Sequence, residues 1–114
     1  MRIVYVSWEY PPEYGGGIGT FVHCISRALA ARGHRVTVIT VTPRPHPVRE
    51  RAGELTIVRL PIVEGTGPEP IATLKTWQAR SDAVADYLGK LVRAEGADVI
   101  EFGDYRGEGF AWLA

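Results

Sequence analysis

Four glycines in five residues, Gly15-Gly16-Gly17-Ile18-Gly19, stand immediately before a helical pattern. Without β-carbons such a run turns sharply and lets a ligand approach the backbone closely. The free N–H groups and positive dipole end of the following helix attract an anion, so a phosphate or carboxylate is the expected guest. A plain strand-to-helix connection without a ligand is the competing reading. The second set of candidates lies near the other end of the chain, where Glu101 precedes a glycine-rich segment, 103–109, that contains Asp104 and Glu108. An acid at the carboxyl end of a strand is costly unless paired or functional. Asp104 and Glu108 are therefore read as contacts to substrate hydroxyls, and Glu101 as the ion-pair partner of an arginine. Glu9 and Tyr10 belong to the same mouth, and loop packing explains them equally well.

Other reactive residue types read more plainly. His23 falls opposite the apolar stripe of its helix and is expected in solvent, while His34 serves the turn at Gly33. His46 lies among prolines without partners at metal-ligand spacing, so no metal is expected. Cys24, at the margin of the stripe, reads as a half-buried small apolar residue; a single cysteine forms no internal disulfide.

The elements that must position these residues follow from periodicity. Residues 3–6 form a continuous β-rich apolar run, expected as a strand buried on both faces. Pro11 and Pro12 then forbid helix. Ile18, Phe21, Val22, Ile25 and Leu29 recur with a 3.6-residue period, and Gly33 closes that helix. A second buried strand spans 36–41 and ends at Pro43, Pro45 and Pro47. A third, 55–60, is interrupted by Thr56 and Arg59 and is expected toward a sheet edge. A long helix over 71–95 carries Leu74, Trp77, Val84, Leu88 and Leu91 as its stripe, with Ser81 as a polar break and Gly89 inside it. A fourth strand spans 99–102, and a third helix starts at Gly107 and runs to Ala114, in an apolar ending that reads as a helix cut short.

Alternation of strands and helices predicts an α/β fold: an open, doubly wound, Rossmann-like parallel sheet in three layers, with strand order 3-2-1-4. The switch point then lies between strands 1 and 4, where ligands of such sheets bind beyond the carboxyl ends. The two glycine-rich loops meet there. A last strand with an open edge, beside Phe110, Trp112 and Leu113, leads to an expectation of self-association.

Composition narrows the function classes. The chain has 114 residues, thirteen Lys plus Arg and thirteen Asp plus Glu. That neutral balance gives no reason to invoke nucleic acid. No apolar run approaches the ~20 residues that span a bilayer, and the N-terminal run is too short for a signal peptide, so a cytoplasmic location is expected. A dinucleotide-type hydride-transfer enzyme is disfavoured. Seven residues separate strand 1 from the first glycine, Val22 stands where a third spaced glycine belongs, and strand 2 ends without an acid in Thr40-Val41-Thr42. No Gly-Lys-Ser or Gly-Lys-Thr is present for a P-loop.

Ser7-Trp8-Glu9-Tyr10-Pro11-Pro12 followed by Gly15-Gly16-Gly17-Ile18-Gly19-Thr20 resembles the opening of retaining glycosyltransferase family 4 enzymes. Gly33-His34-Arg35-Val36 resembles their turn into strand 2. The stretch Asp98 to Tyr105, then Gly107-Glu108-Gly109, resembles a loop closing the acceptor side. The resemblance implies a GT-B enzyme of the hexosyltransferase type, with residues 1–114 as a partial N-terminal domain that is inactive alone. Its substrates would be a nucleotide-diphosphate sugar and an acceptor, with no further cofactor. Gly15, Gly16, Gly17, Ile18 and Gly19 would face the donor phosphate and sugar. Asp104 and Glu108 are the catalytic candidates, and Glu9, Tyr10 and Tyr105 the acceptor-binding ones. Relatives that carry histidine near the position of Phe102 or Gly103 differ from this chain. The lysine that precedes the glycine pair in the glycogen-synthase branch is Tyr14 here, which favours a sugar, lipid or small-molecule acceptor over glucan extension. The alternative function is a stand-alone phosphate- or nucleotide-binding module without catalysis.

Overall fold

The computed structural model describes residues 1–103 and 106–114. Five strands form one sheet: β1 (Arg2–Val6), β2 (Arg35–Thr42), β3 (Val48–Ala52), β4 (Leu55–Pro61) and β5 (Val99–Phe102). Three helices, α1 (Gly17–Ala31), α2 (Ile71–Ala94) and α3 (Phe110–Leu113), complete the described elements. The spatial order is β3-β4-β2-β1-β5. β1, β2, β4 and β5 are parallel, and β3 alone is antiparallel, paired to β4.

The four expected strands thus occur in the expected relative order, with one correction. β4 is not the edge; β3 covers it. The pairing Ala52↔Leu55 closes a hairpin over Gly53 and Glu54, and Gly53 adopts φ +60°, a conformation cheap only for glycine. The strand Val-Arg-Glu-Arg-Ala has no apolar alternation to reveal it. Its charges suit an edge, where they discourage further pairing.

Alternation along the strands divides the core into two layers. Ile3, Tyr5, Val36, Val38 and Leu55 pack with Val22 of α1 and Tyr10. Val4, Val6, Ile39, Val58 and Leu60 pack with Val84 and Leu88 of α2. Trp112 joins the second layer, so of the three apolar residues expected at the open end only Phe110 and Leu113 are exposed. Gly89 does not break α2, and Gly96 follows it with φ +80°.

The buried stripe of α1 is rotated from the expected one. Gly19, Val22 and Ser26 are buried, whereas Ile18 and Phe21 are 46% and 58% exposed. The cause is Gly19: a β-carbon there would lie 2.9 Å from Glu9 Cβ, so its absence lets the first turn press on the preceding loop. The same rotation turns the His23 ring toward Tyr10, with centroids 5.4 Å apart, and leaves Cys24 exposed. His23 is half-buried instead of solvated, with Nδ1 lacking a hydrogen-bond partner among the described residues. The switch point lies between β1 and β5, the strands that carry the two candidate loops.

Candidate functional site

The loop leaving β1 is anchored by hydrogen bonds before it reaches the glycines. The Ser7 hydroxyl donates to the Glu9 carbonyl at 2.7 Å, and Thr40 donates to the Trp8 carbonyl at 3.2 Å. Arg59, which interrupts the apolar pattern of its strand, is 1% exposed. Its Nη1 and Nη2 donate to the Tyr10 and Pro11 carbonyls at 3.3 and 2.7 Å. Its Nε lies 3.3 Å from Glu50 and 3.5 Å from Glu13. Glu13 also accepts a hydrogen bond from Thr42. A charged side chain buried in a strand is tolerable only when it is paired and hydrogen-bonded, and each of the three Arg59 nitrogens has a partner.

Beyond Tyr14 the chain enters the glycine run. Gly16, with φ +147°, precedes α1, and its carbonyl accepts both the N–H and the hydroxyl of Thr20 at 2.9 Å. Gly15, Gly16, Gly17 and Ile18 are exposed at the helix start. The Glu9 carboxylate approaches them from the loop: Oε1 accepts the Gly19 N–H at 3.3 Å, and a β-carbon on Gly16 would overlap it. The first turn of α1 contains no acid of its own. Glu9 therefore supplies the negative charge that a helix N-terminus favours. The anion found there is the protein's own.

The loop leaving β5 is held from within. Arg80 of α2 and Glu108 are both nearly fully buried, with Nε 2.9 Å from Oε2. Arg80 Nη1 donates to the Thr40 carbonyl at 3.0 Å, and Nη2 to those of Ile39 and Ser7 at 3.2 and 3.4 Å. One guanidinium thus ties the ends of β1 and β2 to the segment after β5. Burial pushes the Arg80 pKa down, while the Glu108 charge and hydrogen bond hold it up. The second Glu108 oxygen, Oε1, accepts no hydrogen bond from the described residues. Trp8 is near two cations, its ring centroid 4.5 Å from the Arg106 guanidinium carbon and 6.0 Å from that of Arg80. Arg106 has φ +66°, an uncommon conformation for a side-chain-bearing residue.

Between the loops is a cavity of about 130 Å³ lined by Ser7, Trp8, Glu9, Ile18, Gly103, Arg106 and Glu108. The structure thus brings Glu9, Ile18 and Glu108 together, with Gly15, Gly16 and Gly17 on the adjoining helix start. Asp104 and Tyr105 lie outside the described residues. Tyr10 does not reach the mouth: it is 2% exposed, and its hydroxyl lies 3.2 Å from that of Ser26. Glu101 is exposed and forms no ion pair with an arginine among the described residues; burial first, and then its charge and hydrogen bond, raise the pKa of Tyr5. His34 serves the chain start, with Nδ1 3.0 Å from the terminal amine.

Trp8, Arg59, Arg80 and Arg106 were not among the sequence candidates. Arg80 had a readable signal. It lies three residues after Trp77 and four before Val84, on the apolar stripe itself.

Residues 16–114 match the family model for the glycosyl transferase 4-like domain. A glycogen synthase of Mycobacterium tuberculosis is 48% identical over 59 residues, 47% of this chain and 14% of that protein. An uncharacterized glycosyltransferase of Methanocaldococcus jannaschii is 46% identical over 43 residues, 36% of this chain and 10% of that protein. The solved sucrose-phosphate synthase of Thermosynechococcus elongatus has a similar fold, with a TM-score of 0.65 and 20% identity over 98% of this chain and 29% of that one. The chain spans a small part of each of these three proteins.

Proposed function

The chain belongs to the glycosyl transferase 4-like domain family, and on that premise we propose that it is the acceptor-side, N-terminal part of a retaining glycosyltransferase. The reaction would move a sugar from a nucleotide-diphosphate sugar to a sugar, lipid or small-molecule acceptor. The observation that carries this reading is the cavity where both loops meet at the β1/β5 switch point, with the glycine-rich start of α1 beside it.

The chemistry proposed for the site is positioning plus stabilisation of a departing diphosphate by fixed dipoles and cations. Gly15, Gly16, Gly17 and Ile18 offer backbone approach at the helix start, and the Gly19 N–H joins them once Glu9 withdraws. Arg106 adds positive charge at the cavity wall. Glu108 is engaged through Oε2 with Arg80, which leaves Oε1 for a sugar hydroxyl; Asp104 shares that task. Tyr105 is the proposed acceptor contact, and Tyr10 acts from inside by packing the loop that carries Glu9. A second Rossmann-like domain would hold the nucleotide, so residues 1–114 alone are expected to be inactive.

A panel of nucleotide sugars assayed for hydrolysis and transfer with the full-length gene product tests the proposal. Turnover of one donor by that product, and none by residues 1–114, is the expected result. Binding without turnover across a panel of acceptors would favour a binding module instead. Transfer by the 114 residues alone would overturn the partial-domain reading.

A further inference from the structure

A second polar cavity, of about 110 Å³, lies at the opposite, amino end of the sheet, between β2, β3, β4 and the end of α2. Arg35, Arg49 and Arg51 line it, together with Thr37, Thr56 and Tyr87. The register explains the convergence. Arg51 is paired with Thr56, and Thr56 with Thr37, so these three form one row across the sheet; Arg49, two residues from Arg51, shares its face. Tyr87, Leu91 and Glu95 of the α2 side close the cavity, and Glu54 stands at its rim.

Most of the hydrogen-bonding capacity here is unspent. Arg51 donates through Nε to the Gly53 carbonyl at 3.2 Å, and its terminal nitrogens have no partner among the described residues. Arg49 makes no hydrogen bond or ion pair there, although it is near enough to Tyr87 to act on its charge. Thr37 and Thr56 are 7% and 8% exposed, and neither hydroxyl is hydrogen-bonded to a described residue. Of the two acids, Glu54 is paired with Arg35 at 3.5 Å. Three guanidinium groups against two carboxylates leave an excess of one positive charge. The space equals that of about three or four waters at ~30 Å³ each.

We infer that this cavity binds a phosphoryl-type oxyanion, either free phosphate or the phosphate of a small monoester. Planar guanidinium forks match such oxygens bidentately, and hydroxyl donors from the sheet complete the set. The site is separate from the cavity at the carboxyl ends and makes no use of the glycine run. The competing explanation is edge protection, in which Arg49 and Arg51 only keep β3 from pairing with another chain.

Amide chemical-shift titrations of the protein at constant ionic strength, with inorganic phosphate and separately with glucose 6-phosphate, decide between them. The expected result is saturable shifts in β3, at the start of β4 and from Tyr87 to Glu95, with affinity falling about tenfold or more in Arg49→Gln and in Arg51→Gln. Both residues are exposed on an edge strand, so either variant is expected to fold; circular dichroism checks this. Binding of both probes identifies free phosphate as a sufficient ligand, and binding of the ester alone identifies a phosphorylated metabolite. Shifts confined to residues 15–19, or a response to neither probe, would overturn the inference and leave edge protection as the role of these arginines.

Discussion

Arg59 and Arg80 do similar work at the carboxyl end of the sheet, yet their surroundings differ. Arg80 meets carbonyls of Ser7, Ile39 and Thr40 and a carboxylate, Glu108, that is itself 3% exposed at the side chain. Arg59 meets the carbonyls of Tyr10 and Pro11, but its carboxylates reach toward water: the Glu13 and Glu50 side chains are 18% and 51% exposed. The loop after β5 is therefore tied by a pair that has no alternative partner in solvent. The loop after β1 is tied by one whose acids rehydrate easily when the arginine is lost. Burial of the cation alone does not set the strength of such a clamp; the escape routes of its partners do.

The largest expected effect follows from removing half of the inner pair. Glu108→Gln leaves the Arg80 charge buried against carbonyls, and about 3–5 kcal/mol of stability should be lost in chemical denaturation. Arg80→Met combined with Glu108→Leu should recover part of this, because a buried ion pair is often replaceable by apolar residues. Recovery should stop short, since the Thr40 carbonyl loses its Arg80 donor. A fully stable double variant would mean that the carbonyl clamp adds nothing to stability and that Glu108→Gln is costly only because it strands a buried charge. Arg59→Met should cost less, about 2–3 kcal/mol for the two loop carbonyls left without donors. Equal losses at both sites would break the comparison.

These two arginines also mark the limit of what the sequence discloses. The four parallel strands, the two long helices and the switch point were legible because hydrophobic period and glycine punctuation report them directly. β3 was not, because an edge strand of charged residues has no buried face to write a pattern. Arg59 is visible in the sequence only as a flaw in a strand, and Arg80 only as a charge on an apolar stripe; their roles are not, because the partners of both are backbone carbonyls and acids distant in sequence. The glycine run correctly marks the start of a helix, and the Glu9 carboxylate lies against it. That Glu9 fills part of it depends on the missing β-carbons of Gly16 and Gly19, a matter of three-dimensional approach.

The glycines sharpen the comparison within the first loop. Gly16→Ala should lose about 1–2 kcal/mol, because φ +147° is strained for a side-chain-bearing residue and the new methyl meets the Glu9 carboxylate. Gly17 has open space around its missing β-carbon and no positive φ. Gly17→Val should accordingly change stability by less than about 1 kcal/mol. In the full-length protein it should still depress transfer strongly, if a diphosphate must approach this backbone. Wild-type turnover in that variant would remove the glycine run from the donor site.

The smallest structural effect is expected at Glu9, and it tests what the outer loop is for. Its carboxylate accepts one long hydrogen bond, 3.3 Å from the Gly19 nitrogen, at a helix end where a negative charge contributes only about 0.3–1 kcal/mol. Glu9→Gln keeps the size and an oxygen acceptor, so stability should drop by no more than that. Its effect on anions should run the other way. A diphosphate entering the start of α1 must compete with the resident carboxylate for the same N–H and the same positive potential. Neutralising Glu9 removes both the competitor and the repulsion, so pyrophosphate affinity, measured by calorimetry, should rise. The gain should shrink as salt is added, because part of it is screened charge repulsion. Weaker pyrophosphate binding in Glu9→Gln would mean that Glu9 arranges the loop for its ligand instead of standing in its place. In that case the tighter inner clamp at Arg80, and not the exchangeable outer one, would be the model for the whole site.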